Sequence, residues 1–173
     1  IGIGLPGPVE YASGMLIAPP IMPGWDRFPV REYLEEKYKV PVWVDNEVNL
    51  MALGESRAGA GREMHSLVYI KIGTGIGGGL VYQGQLLHGE SGSAGDIGHL
   101  KANSESTIVC RCGKRGCLEA LAGAPAILRE ASRIAENDES KYLSTALKSK
   151  KNIDIELLTH GILAGDSKSI QIA

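Results

Sequence analysis

Apolar positions fall in short runs over the first half of the chain and at helical intervals over the second. Residues 1–5 form an apolar run that ends at Pro6-Gly7-Pro8, which predicts a strand entering a tight turn. Residues 9–25 hold no sustained period and carry Pro19-Pro20 and Pro23-Gly24-Trp25. They predict an irregular connection with a short edge strand at Met15-Leu16-Ile17. Residues 29–38 place Val30, Tyr33, Leu34 and Tyr38 on one face, with Pro29 at the first helical position, which predicts a short amphipathic helix. A strand over 40–44 follows. Asp45-Asn46 then opens a helix over about 47–59, on which Leu50, Leu53 and Gly54 share a face. Residues 66–72 read as a strand, and residues 79–82 with Gln83-Gly84-Gln85 read as a second strand and its hairpin turn. Residues 118–136 carry Leu121, Ile127, Leu128 and Ile134 at helical spacing, and further helices are expected over about 139–148 and 154–173. Mixed strands followed by helices make an α/β architecture, and no internal repeat is visible.

A length of 173 residues allows one sizeable core or two small ones, and 43% hydrophobic with 22% charged residues is ordinary for a soluble globular chain. The net charge of −2, with both signs interleaved, offers no electrostatic footprint for nucleic acid or an anionic membrane, so this chain alone is not expected to bind DNA. The longest apolar runs are interrupted by Gly, Lys or Gln, and no basic segment precedes an apolar core at the start. The expectation is therefore a cytoplasmic protein without a membrane span. The first residues read as the middle of a buried strand, and the last stop inside a helical pattern, which suggests a fragment of a longer protein.

All three cysteines fall in one short segment, Cys110-Arg111-Cys112-Gly113-Lys114-Arg115-Gly116-Cys117, a little after Gly98-His99. Three thiolates and an imidazole are the donor set that Zn²⁺ takes in closed tetrahedral sites. Ten residues separate His99 from Cys110, one separates Cys110 from Cys112, and four separate Cys112 from Cys117, which is not zinc-finger or ribbon spacing. The alternatives are three unrelated thiols, or a disulfide with one cysteine left over. Bunching beside a histidine favours the metal, and thiolates held on an ion agree with a reducing compartment.

Between the strands at 66–72 and 79–82 lies Gly73-Thr74-Gly75-Ile76-Gly77-Gly78-Gly79. Such a turn can bring successive backbone N–H groups to an anion, and the Thr74 hydroxyl can add a donor. No Lys-Ser or Lys-Thr follows and no helix is opened, so it is neither a Walker loop nor a dinucleotide-binding loop. On the loop alone, a phosphate cradle and a hairpin that binds nothing remain equally open.

Taken together, several segments resemble the ROK family, bacterial sugar kinases and sugar-responsive transcriptional repressors on the actin-like ATPase (ribonuclease H-like) fold. These are Gly4-Leu5-Pro6-Gly7-Pro8-Val9, Pro23-Gly24-Trp25, Val44-Asp45-Asn46-Glu47-Val48-Asn49 with Ala52-Leu53-Gly54-Glu55, Gly73 to Gly79, Ala94-Gly95-Asp96-Ile97-Gly98-His99, the cysteine run through Leu118-Glu119, and Gly165-Asp166. The cysteine run with its upstream Gly-His is the most specific of them. The resemblance implies part of a two-lobed domain with a zinc-binding loop: residues 1–60 would end the smaller N-terminal lobe, and 61–173 would begin the larger C-terminal one.

It also implies roles. His99, Cys110, Cys112 and Cys117 match structural zinc ligands, and His99 also matches a sugar contact, since a ring that gives one nitrogen to a metal can offer the other to a hydroxyl. Asn46, Asp96 and Glu119 match groups that hold sugar hydroxyls. Gly73, Thr74 and Gly75 match the loop that receives nucleotide phosphates in the kinases. Three departures stand out. Glu47 occupies the position of the Asp that serves the kinases as base, and its extra methylene shifts the carboxylate by about 1 Å, a misplacement that can cost on the order of a hundredfold. Asp96 replaces the usual Glu, and Pro20 falls where a sugar-binding Asn is usual. The family's acidic N-terminal phosphate loop and C-terminal nucleotide-lobe strands lie outside this chain.

Two functions follow, beside the bland reading of a zinc-stabilised α/β piece whose binding surface needs parts outside this chain. One is the effector-binding part of a ROK-type repressor, in which Asn46, Glu47, Asp96, His99 and Glu119 bind a sugar and operator DNA is reached only through an N-terminal domain. The Asp-Asn-Glu-x-Asn form of the motif resembles that branch. The other is a sugar kinase using ATP and Mg²⁺, with Glu47 as base. A homodimer and structural Zn²⁺ are expected in either case. Among single residues, His65, His88 and His160 read as ordinary surface or loop histidines. Trp25 and Trp43 read as packing residues, with stacking on a sugar ring a further role for Trp25. Asp45 reads equally as an N-cap or a ligand contact, Glu55 as structural, and 148–151 as a solvated turn.

Overall fold

The computed structural model describes residues 1–19, 21–149 and 152–173; the expectations at Pro20 and at Lys150-Lys151 lie outside them. The first strand, β1 (Gly2–Leu5), pairs in parallel with β4 (Trp43–Asn46), so that Leu5 lies beside Asn46. Between them a small antiparallel hairpin, β2 (Val9–Glu10) and β3 (Met15–Leu16), precedes a single 3₁₀ turn at Pro23–Trp25 and helix α1 (Val30–Tyr38). Pro29 is the N-cap of α1 rather than its first residue. The strand expected at 40–44 begins only at Trp43. Lys39 turns left-handed at the end of α1, and Glu35 Oε1 accepts the Val42 N–H, so residues 40–42 serve as the link.

Leu5, Val9, Leu16, Val30, Val42 and Val44 close a first core under α1. Helix α2 (Glu47–Ala58) leaves β4 directly and lies over the antiparallel sheet β5 (Leu67–Ile72), β6 (Ile76–Tyr82) and β7 (Gln85–Leu86). Its buried face is Val48, Asn49, Ala52 and Ser56, not the expected Leu50, Leu53 and Gly54 face. The reason lies in β6. Gly77 and Gly78, expected as loop, join Gly79 as strand residues; Gly77 and Gly79 face α2 and let Val48 and Ala52 approach closely, while Gly78 faces Gly95 and Ile97. A Cβ on Gly79 would stand 2.7 Å from the Val48 carbonyl oxygen. The turn between β5 and β6 is therefore only Gly73-Thr74-Gly75, with Ile72 opposite Ile76.

The helix expected over 118–136 is two, α3 (Leu118–Ala122) and α4 (Ala124–Glu136). Pro125 cannot donate into a continuous helix, and the Ala124 N–H goes instead to the Gly73 carbonyl at 2.8 Å. After α5 (Lys141–Lys148), the stretch 154–173 is likewise divided into α6 (Ile155–Leu163) and α7 (Ser167–Ile172). α6 ends in the paired hydrogen bonds of a Schellman motif, Asp166 N–H to Gly161 O and Gly165 N–H to Ile162 O, and Asp166 then caps α7. Ala131, Ile134, Ala135, Leu143 and Leu158 make a second core among these helices. Trp25 and Trp43, expected to pack, are 42% and 59% exposed. Among the described residues no helix is long and apolar enough to cross a membrane.

Candidate functional site

A cleft of about 350 Å³ opens where the β1/β4 edge and the start of α2 face the β5–β6 turn and the segment before α3. Asn46, Glu47, Thr74, Gly75, Asp96, His99 and Glu119 all line it. Gly73 stands just behind, held by Ala124. A larger, shallower groove of about 550 Å³ between α5 and α6 is lined by Tyr142, Thr145, Leu157 and their neighbours and holds none of these groups.

The α2 end of the cleft is built by capping. Asn46 accepts the Val48 N–H at 2.7 Å through Oδ1 and donates through Nδ2 to the Gly7 carbonyl at 2.8 Å. One side chain thus starts the helix and pins it to the turn after β1. Asn46, rather than Asp45, is the N-cap. Asp45 is buried behind it and accepts from the Asn46 N–H at 2.7 Å, Asn49 Nδ2 at 2.8 Å and His88 Nε2 at 2.7 Å. His88 also stacks on Tyr11 with ring centroids 4.2 Å apart. It is a structural link and not an ordinary loop histidine. Glu55 is structural as expected, accepting the Ala60 N–H at 2.9 Å.

Glu47, the first residue of α2, meets Lys71 of β5, with Nζ 2.5 Å from Oε1. Nothing in the sequence pattern singles out Lys71, because alternation along β5 assigns it only a face. Opposite, Glu119 is nearly buried. Its Oε2 accepts the Ile76 N–H at 3.0 Å, and its Oε1 accepts from Arg111 at 3.0 Å. The carboxylate fits only because Gly75 has no Cβ to collide with it. Arg111 also donates to the Thr74 carbonyl at 3.2 Å. The turn is thereby fixed through Gly73 O, Thr74 O and Ile76 N–H, while the Thr74 and Gly75 amides have no protein acceptor among the described residues. Those two N–H groups are free for an anion.

Asp96 precedes the short 3₁₀ turn Ile97–His99 and accepts the His99 N–H on its carbonyl at 3.1 Å, which fixes the spacing of the two side chains. The ligand atoms of His99, Cys110, Cys112 and Cys117 lie within 4.8 Å of one another. His99 Nδ1 is 3.6 Å from Cys110 Sγ, and Cys112 Sγ is 3.7 Å from Cys117 Sγ. A tetrahedron with zinc–sulfur bonds of about 2.3 Å and a zinc–nitrogen bond of about 2.0 Å has edges of roughly 3.8 and 3.5 Å; the two separations match these, and the cluster, spread over up to 4.8 Å, would tighten slightly around such an ion. The sulfurs are too far apart for a disulfide, whose S–S bond is about 2.0 Å, and all three cysteines are free thiols. Burial pushes the Cys117 thiol up to about 11, reinforced by its two neighbouring thiols. At the exposed Cys112 desolvation acts upward as well, yet a backbone hydrogen bond with Lys114, hydrogen bonds with Cys110 and Cys117 and the Lys114 charge leave it below its ordinary value. An ion would displace the protons, and His99 would keep its second ring nitrogen for the cleft.

The ROK family model matches residues 1–167. A glucokinase of Halalkalibacterium halodurans is 45% identical over 142 residues, which are 82% of this chain and 43% of that protein. A xylose repressor of Caldicellulosiruptor bescii is 37% identical over 145 residues, 83% of this chain and 36% of the repressor. The crystal structure of a ROK family glucokinase from Streptomyces griseus in complex with glucose and AMPPNP superposes with a TM-score of 0.86 at 28% identity, covering 99% of this chain and 55% of that one. The chain thus spans less than half the length of the two curated relatives.

Proposed function

The chain belongs to the ROK family and has its actin-like ATPase fold, and from that premise we propose that it is the sugar-binding effector region of a ROK transcriptional regulator. The observation that carries this reading is the Glu47–Lys71 pair. A carboxylate that must take a proton from a sugar hydroxyl works best with no competing donor on it, and in this cleft the Lys71 ammonium already sits on Glu47 Oε1, leaving only Oε2 without a partner among the described residues. As a binding group the pair loses nothing, since Glu47 can accept and Lys71 donate to neighbouring hydroxyls. In this reading Asn46, Glu47, Asp96, His99 and Glu119 hold the sugar, and Zn²⁺ on His99, Cys110, Cys112 and Cys117 fixes the His99 ring. Residues 1–60 belong to the smaller lobe and 61–173 to the larger one, in keeping with one core under α1 and another among α4–α6. The sugar acts by preferring one arrangement of the lobes, because only differential affinity moves such an equilibrium. Operator DNA is contacted by a separate N-terminal domain of a homodimer.

A second reading is favoured by the intact Gly73-Thr74-Gly75 turn with its two free amides and by the 45% identity to a glucokinase. There the turn takes the phosphates of ATP with Mg²⁺, and Glu47 is the base once Lys71 swings away. ATP turnover by the complete protein across a panel of sugars, with Glu47→Ala and Glu47→Asp alongside, separates the two. The regulator reading expects no sugar-dependent ADP release and a sugar-induced rise in melting temperature. Turnover abolished by Glu47→Ala would replace it with the kinase.

A further inference from the structure

Arg111 lies between two of the four clustered donors, Cys110 and Cys112, yet its side chain leaves the cluster and enters the cleft. There one guanidinium nitrogen spans two partners, the Thr74 carbonyl at 3.2 Å and Glu119 Oε1 at 3.0 Å. Glu119 in turn receives the Ile76 N–H on its other oxygen. The loop that carries Arg111 is closed on itself by Cys110 N–H to Lys114 O at 2.7 Å, Gly113 N–H to Cys110 O at 2.9 Å and Gly116 N–H to Ile108 O at 3.0 Å. Those bonds shape the loop without joining it to the glycine turn. Arg111 makes that join, and an ion held by Cys110 and Cys112 would pin its backbone from both sides.

We propose that Arg111 is a positioning residue that transmits metal occupancy of the cysteine loop to the Gly73–Gly75 turn and to Glu119. The proposal rests on the reading of the four donors as a metal site and is independent of whether the turn receives a phosphate. With the loop ordered by metal, the guanidinium fixes the Thr74 peptide and holds the Glu119 carboxylate turned toward Ile76. With the metal removed, the residues on either side of Arg111 lose their common anchor, and both contacts loosen together. Both contacts come from one nitrogen, so lysine keeps the charge and can donate to both acceptors, but its strongly hydrated ammonium on a flexible stem holds them less firmly than the fixed guanidinium N–H groups.

The test is hydrogen exchange at the amides of Ile76, held by Glu119, and Gly77, paired with Lys71, in the complete protein, with zinc loaded or stripped by a chelator, for wild type, Arg111→Ala and Arg111→Lys. Metal content and global melting temperature are measured on the same samples. Loss of charge-assisted hydrogen bonds is expected to raise exchange at these amides about tenfold or more in stripped wild type. Loaded Arg111→Ala should exchange as fast as stripped wild type while retaining its zinc, and stripping it should add little further at these amides. Arg111→Lys should fall between. Unchanged exchange in loaded Arg111→Ala, or equal and additive effects of stripping and mutation, would overturn the coupling. If the wild type takes up no zinc, the metal reading fails and the coupling with it, and fast exchange in Arg111→Ala would then mark a strap without a metal behind it.

Discussion

Replacing Gly79 with Ala adds one methyl group where β6 and α2 touch backbone to strand. The new Cβ would stand 2.5 Å from Ala52 Cβ and 2.7 Å from the Val48 carbonyl oxygen, and the second of these is helix backbone that no rotamer change can clear. Carbon atoms settle at about 3.5–4.0 Å, so α2 must recede by roughly 1 Å. Overpacking of this kind costs about 1–3 kcal/mol. For a domain of this size each kcal/mol moves the melting temperature by about 2–4 °C, so a fall of about 2–12 °C is expected. The displacement also reaches the cleft, because α2 begins at the Asn46 cap and carries Glu47 in its first turn. Sugar-induced stabilisation should therefore shrink beyond what the lower melting temperature alone explains. Gly54→Ala is the matched control: it lies in the same helix, and its Cβ would meet nothing within 4 Å. Relief from glycine in an open helix position stabilises by about 0.5–1 kcal/mol, so this variant should melt about 1–4 °C higher. Thermal melts of both variants in the complete protein, with and without sugar, check the pair. A Gly79→Ala protein that melts at or above wild type would refute the close-packing argument, as would a Gly54→Ala protein that falls as far.

Chelation of the metal should lower the melting temperature and open the thiols to alkylation in order of exposure, Cys112 before the buried Cys110 and Cys117, as read by mass spectrometry; protection of all three by added Zn²⁺ completes that test. Asp166→Ala should cost about 1–3 kcal/mol, since the carboxylate accepts from Ser169 N–H at 2.8 Å, Ser169 Oγ at 2.7 Å and Ser140 Oγ at 3.0 Å, and denaturant or thermal melts measure it. Burial works to raise the Asp166 carboxyl, but these hydrogen bonds outweigh it and leave it below the ordinary value, so its stabilisation is fully present above about pH 4 and is lost as pH falls through the folded-state value. Melting curves from about pH 6 to pH 3 should accordingly show a shallower acid decline for Asp166→Ala than for wild type. His88→Ala should cost about 1–3 kcal/mol by leaving the buried Asp45 carboxylate one donor short, and the double variant His88→Ala/Asp45→Asn should recover part of the loss in a thermal cycle.

The order of strands and helices was legible because periodicity is a local property, and β1, α1, α2, β5 and α5 all lie close to their expected bounds. It misled where a break depends on a distant partner. The division at Gly123 is set by the Gly73 carbonyl, and the buried face of α2 is set by the bare glycines of β6, neither of which a single helix pattern can register. Trp25 and Trp43 were assigned to packing by type, and type says nothing of which side of a strand or turn meets the core.

The sequence by itself determined the donor cluster, because four ligands of the right type close together in the chain need only a tight loop to converge. It also determined the family, through short motifs whose residues act where they stand. Only the tertiary structure decided which charges meet: Glu47 with Lys71, 24 residues apart, Arg111 with Thr74, 37 apart, and Asp45 with His88, 43 apart. Local spacing constrains neither member of such a pair. They are brought together when α2 packs on the β5–β6 sheet and the segment around Ile97 closes against β6, and the polar groups left at the seams take the partners that the packing supplies.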